Sequence, residues 1–185
     1  ESLEQRSLLA VTSSLNAGLL DVAMNAASDS ASISLVNEAG QDKVDVFDGS
    51  THVKYLAAGV AGLNVHGNSA ANQSLQLHSA LKLGQALTVS QIASTTIDGA
   101  YQAASAVIQS GQIHLNGGTI STRTIAPGGD PNTALSTGNS GSISLTGTRI
   151  DSTPGAKLLA QATGVFNPGS VKINATDTQS GNSVV

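Results

Sequence analysis

The chain has 185 residues, of which 39% are hydrophobic and 2% aromatic, with no tryptophan and no cysteine. A core must therefore be built from small and branched aliphatic side chains, and disulfides, thiolate metal sites and a cysteine nucleophile are excluded. Twelve acidic residues against eight basic ones give a net charge of −4, and the Lys and Arg are scattered singly, which speaks against nucleic acid or an anionic membrane surface as partner. The longest apolar runs are too short to cross a bilayer. With its start at Glu1, its end in Ser183-Val-Val185 and no signal-peptide pattern, the chain reads as a piece of something longer.

In chain order, residues 1–18 form a distinct opening segment. Ser2-Leu-Glu-Gln5 has the spacing of a capping box, and Leu3, Leu8 and Leu9 form an apolar stripe, so Ser2 to Ala10 is predicted as a short capping helix. From Leu19 to Val89 come eight short alternating runs: Leu20-Asp-Val22, Ile33-Ser-Leu35, Val44-Asp-Val46, Val53-Lys-Tyr55, Leu63-Asn-Val65, Leu75-Gln-Leu77, Leu81-Lys-Leu83 and Leu87-Thr-Val89. Alternation of this kind buries one face of a strand and wets the other. The turn formers between the runs fit tight corners, and Asp48-Gly49 and Gly67-Asn68 also suit hairpins, so residues 19–89 read as degenerate β-coils or as a small separate β-domain.

Residues 90–185 carry a repeated phrase. Gly111-Gln-Ile-His-Leu-Asn-Gly117, Gly141-Ser-Ile-Ser-Leu-Thr-Gly147 and Gly169-Ser-Val-Lys-Ile-Asn-Ala175 start 30 and 28 residues apart. After each Gly-x-Ile-x-Leu come a corner and further strands, over Thr119 to Thr124 and Arg149 to Thr153, then Ala134 to Thr137 and Leu158 to Ala162, with return loops at Pro127–Pro131 and Phe166–Gly169. Three strands and three corners per repeat predict an all-β fold, a parallel β-helix (β-solenoid) whose inward side chains stack as ladders such as Ile113 over Ile143 over Val171.

Two features resemble a known group. Leu3-Glu-Gln-Arg-Ser-Leu-Leu9 resembles the LEPRxLL motif near the N-terminus of very large secreted bacterial proteins, with Gln5 where proline is usual. The Gly-x-Ile-x-Leu copies, with Leu159-Ala-Gln-Ala-Thr-Gly164 and Val171-Lys-Ile-Asn-Ala-Thr-Asp177, resemble coils of filamentous-haemagglutinin-type exoproteins and adhesins over Leu87 to Asp177. The resemblance implies export, a right-handed β-helix and a role as a surface stalk, fibre or adhesin. Related coils bind calcium through Gly-Gly-x-Gly-x-Asp, and Gly67-Asn-Ser-Ala-Ala-Asn72 lacks the aspartate a hard cation needs.

No constellation of chemistry emerges. Asp29, Glu38, Asp42, Asp45 and Asp48 are the densest carboxylates, but their spacing matches no metal loop and alternation puts Asp45 on a solvent face. His52, His66, His78 and His114 sit apart and mostly follow inward aliphatics, so they should project outward. A polysaccharide-active β-helix would stack carboxylates at one coil position, whereas Asp98, Asp130, Asp151 and Asp177 fall in different contexts. The loop Pro127–Pro131 reads as a long corner. The expectation is a non-catalytic, extracellular structural module without cofactor, metal or catalytic residues. It would assemble end to end with copies of itself or continue into a parent chain. The alternatives are an adhesin for a surface glycan or protein, and a polysaccharide-active enzyme.

Overall fold

The computed structural model describes residues 11–68, 72–125 and 135–176, and these are all-β. The predicted helix over Ser2 to Ala10 and the loop Pro127–Pro131 lie outside the described residues. Among the described residues helical structure amounts to a 3-10 turn, Ala57–Gly59.

The first five strands form two antiparallel units. Strands β1 (Val11–Asn16) and β2 (Leu19–Met24) make a hairpin, and β3 (Ser30–Glu38), β4 (Gln41–Phe47) and β5 (His52–Leu56) make a meander. Both β1–β2 and β3–β4 close on an Ala-Gly pair with positive φ at each residue, 47° and 84° at Ala17-Gly18 and 51° and 78° at Ala39-Gly40. That backbone matches the twist of the flanking strands, which is why two residues suffice. Between β4 and β5 the Asp48 carboxylate accepts the backbone N–H groups of Thr51 and Ser50, at 2.6 and 2.8 Å. Those bonds, Thr51 first, hold its pKa below the ordinary aspartate value, so their contribution is present at neutral pH and is lost as pH falls through the lowered value.

Strands β6 (Gly62–His66), β7 (Ser74–Leu77), β8 (Ala80–Lys82) and β9 (Leu87–Ile97) follow. Parallel pairing of β6 with β2 and β9, and of β7 with β9 and β3, joins the antiparallel units into one path, β1-β2-β6-β9-β7-β3-β4-β5. The ends of that path meet again: Ser13 Oγ lies 2.9 Å from the Tyr55 hydroxyl, so the mixed sheet is nearly closed and barrel-like.

The remaining strands are β10 (Ala100–Gln102), β11 (Ala106–Leu115), β12 (Thr119–Ser121), β13 (Ile143–Gly147), β14 (Arg149–Ser152), β15 (Lys157–Leu159) and β16 (Val171–Ala175). The long strand β11 adds to β9, its two halves carry β13 and β14, and β16 adds to β13. Strands β8, β10, β12 and β15 form a second, four-stranded parallel sheet.

This corrects the right-handed parallel β-helix, or β-solenoid, expected from the repeats. Such a fold pairs each strand in parallel with its counterpart one coil away, whereas here three antiparallel pairings sit in the same sheet as the parallel ones. The predicted ladder is also only half present. Ile143 pairs with Val171, but its other neighbour is Ala106, and Ile113 pairs instead with Ile150 and Thr95. The cause is β11, a continuous strand that straddles Ser110-Gly111, so the Gly111 phrase aligns with Arg149–Ser152 and not with the Gly141 phrase.

One aliphatic cluster runs from Val11 to Ala160, with Leu20, Ile33, Leu63, Leu87, Ile108 and Ile143 fully buried. Each such side chain stabilises the fold by about 1.5–3 kcal/mol. Within it, buried Gln73 ties three turns: its amide donates to the carbonyls of Met24 and Ala26, both at 2.9 Å, and its Oε1 accepts from Asn68 N–H at 3.3 Å. Gln73→Met keeps the volume and strands both carbonyls, so urea denaturation should show a loss of about 2–4 kcal/mol. A loss under about 0.5 kcal/mol would mean water replaces the amide.

Candidate interaction edge

The residues singled out in the sequence do not converge. All four histidines are partly exposed, and each meets an aspartate: His52–Asp45 at 2.8 Å, His66–Asp21 at 3.4 Å, His78–Asp98 at 2.7 Å and His114–Asp151 at 2.6 Å. These pairs tie neighbouring segments, as cross-strand pairs do. Asp151 also meets Arg149 at 3.0 Å. Asp130 and Asp177 lie outside the described residues. No group of three His, Cys, Asp or Glu able to hold a metal occurs among the described residues.

The acidic cluster is likewise spent locally. Asp29 is buried and accepts Ala26 N–H at 2.7 Å, and Asp42 accepts the Asn37 amide at 2.6 Å. Glu38 pairs with Lys54 and with Lys43, and these bonds, Lys54 first, hold its pKa below the ordinary glutamate value. Asp45 departs from expectation: it is buried, not on a solvent face. Strand β4 is flanked on both sides by β3 and β5, and the His52 ring, stacked on Phe47 at 4.3 Å, lies against the Asp45 carboxylate.

An open trough of about 540 Å³ crosses the bend in β9 and β11, lined by Gln91, Gln109, Ser110, Thr146, Thr148 and Thr176 among others. Its lining carries no charged and no aromatic side chain. Thr148 and Thr176 spend their hydroxyls on the carbonyls of Gly111 and Gly147.

The feature that does stand out is the end formed by β14, β15 and β16. Each pairs with a single strand, β11, β12 and β13 respectively, and among the described residues no strand covers the far side of any of them. Their apolar side chains sit in register on fully buried ones: Ile150 on Ile113, Leu158 on Ile120, Val171 on Ile143 and Ile173 on Leu145. Yet Ile150 and Leu158 are only partly buried, and Val171 and Ile173 remain 44% and 56% exposed. Among the described residues the columns that form the core therefore run out at this end, with no strand over their last apolar rank. At the opposite end the sheet finishes in the meander β3–β4–β5, whose outer strand exposes Val53 and Leu56 and meets β1 through the Ser13–Tyr55 contact.

The backbone of β16 is poised in the same direction. Ser170 C=O accepts from Ile143 N–H at 2.8 Å and Thr176 N–H donates to Gly147 C=O at 3.0 Å, so the even-numbered residues bond to β13. Pleating turns the N–H and C=O of Val171, Ile173 and Ala175 to the free edge. In the sequence Val171-Lys-Ile-Asn-Ala175 is visible as a strand; its place as the last rank of the sheet is a property of the pairing. No family model matches this chain, and neither a curated protein nor a solved structure does.

Proposed function

We propose that the protein is a non-catalytic structural module that joins another polypeptide by accepting its strand at the open end made by β14, β15 and β16. The observation that carries this reading is the exposure of Val171 and Ile173 directly above fully buried Ile143 and Leu145, on a strand whose far edge no strand among the described residues pairs. An added strand would cover apolar surface worth about 25 cal/mol per Å² and satisfy the waiting backbone groups together. An address at the cell surface belongs to this reading only through the motif Leu3–Leu9, which lies outside the described residues.

A synthetic peptide with the sequence of residues 169–176 serves as the probe strand. It should bind the dilute protein and induce protection from hydrogen exchange in β16, and Ile173→Lys should abolish both while leaving the melting temperature nearly unchanged. Absence of binding together with unchanged exchange in β16 would sink the proposal.

A further inference from the structure

We infer that the strand which β16 accepts is β16 of a second copy, paired antiparallel about a two-fold axis at Ile173; this rests on the reading of β16 as an accepting edge. Among the described residues β1, β5 and β8 also pair with a single strand, and Val53 and Leu56 on β5 are exposed, but β1 and β5 face each other through Ser13 and Tyr55 and Leu81 of β8 is buried, which favours a meeting of like ends over head-to-tail addition. Like ends can meet, and an interface that uses the same patch twice closes on itself as a dimer rather than growing into a filament.

The sequence of β16 selects the register. A two-fold axis between residues would set an inward side chain opposite an outward one and break the apolar layer. Centring on Lys172 would place two ammonium groups directly opposite each other, which is destabilising. Centring on Asn174 would leave Val171 beyond the paired segment. Centring on Ile173 sets Ile173 opposite Ile173 of the second copy, Val171 opposite Ala175 and Lys172 opposite Asn174, with no like charges facing. It is also the register in which the N–H and C=O groups of Val171, Ile173 and Ala175 all meet partners, because these three point to the free edge. The same Lys172 that discourages indiscriminate pairing of an edge strand thus chooses the one register that keeps it apart from its own copy.

The absence of cysteine makes the geometry directly testable. Residues opposed in such a pair lie about 5.5 Å apart at Cα, within reach of a disulfide. Under mild oxidation Ile173→Cys should convert to a covalent dimer. Val171→Cys should not, whereas Val171→Cys combined with Ala175→Cys should. Sedimentation of the unmodified protein should show a concentration-dependent monomer–dimer equilibrium that stops at two, and Ile173→Lys should weaken it by roughly a hundredfold. Cross-linking at Val171 alone, or growth beyond a dimer, would overturn the two-fold arrangement. A protein that stays monomeric at high concentration but still binds the 169–176 peptide would overturn the self-partner and leave the accepting edge standing. Failure of both would remove the edge as well.

Discussion

Replacing Gly141 by alanine is expected to destabilise the protein by about 2–4 kcal/mol, far more than the same change at Gly84. A methyl group at Gly141 would overlap the carbonyl oxygen of Ala104, a backbone atom that cannot swing aside. Gly141 itself cannot retreat, because its N–H donates to Thr122 C=O at 3.1 Å and its own C=O accepts the Thr122 hydroxyl at 2.7 Å. The strain must therefore open the β11–β13 ladder at Ala106–Ile143, next to the core. Gly84 is the control, since a Cβ there meets nothing within 4 Å. Gly169 repeats the arrangement one rank further out, where its Cβ would overlap the Gly141 carbonyl oxygen. There the strand that follows is β16, at the sheet's edge, and it can move away. Gly169→Ala should cost only about 1 kcal/mol and appear mainly as faster hydrogen exchange in Val171–Ala175. Urea midpoints of the three variants decide the matter. If Gly141→Ala and Gly84→Ala agree within about 0.5 kcal/mol, the close packing is not what holds this rank.

Alternation alone located the strands well. Each of the eight runs between Leu20 and Val89 falls on a strand, with only Leu83 one residue beyond its end. What alternation does not carry is the choice of neighbour. Strand β11 reads as two motifs because glycine interrupts it, yet it is continuous, and its two halves serve different partners. A repeat counted from glycine to glycine then misaligns by half a strand. Gly141 and Gly169 play the same local part ahead of paired strands, whereas Gly111 packs against Ala93 and its phrase pairs elsewhere, so the phrases do not define a solenoid repeat. The antiparallel turns were obscured differently: Ala17 and Ala39 occupy a left-handed backbone that asparagine or glycine usually signals.

The candidate edge was legible only in its parts. Valine and isoleucine at positions 171 and 173 mark a strand with one apolar face, and the sequence places isoleucine and leucine at positions 143 and 145 in the same pattern. Their different fates, full burial for one pair and exposure for the other, come from what lies on the next rank, which is a matter of topology. Asp45 shows the converse. Its outward position in the alternation is as expected, but a ring from the adjoining strand lies over it, and period-two reasoning has no access to a neighbour's side chain.

Alkaline unfolding should be governed in part by Tyr101. Its ring is fully buried and its hydroxyl donates to the carbonyl of His78 at 3.1 Å, with Ile33 C=O at 3.3 Å. Burial, and then the nearby Asp98 carboxylate, push the phenol far above the ordinary tyrosine value. The folded state thus keeps a proton that the unfolded chain releases near pH 10, about the unperturbed value. The sign follows: the contribution is intact below about pH 10 and drains away above it, at about 1.4 kcal/mol per pH unit. By pH 12 this one group should have removed on the order of 3 kcal/mol, a large share of a typical domain's stability. In a Tyr55→Phe background Tyr101 is the sole tyrosine, and tyrosinate absorbance should appear only as the β-sheet circular dichroism is lost. Tyr101→Phe should cost about 1–2 kcal/mol at neutral pH, by removing the hydroxyl's bond to the part-buried His78 carbonyl, and should flatten the alkaline slope by one proton. Tyrosinate forming while the sheet signal is intact would mean that water reaches the ring, and would refute the packing of Tyr101 against the His78 and Ile33 backbone.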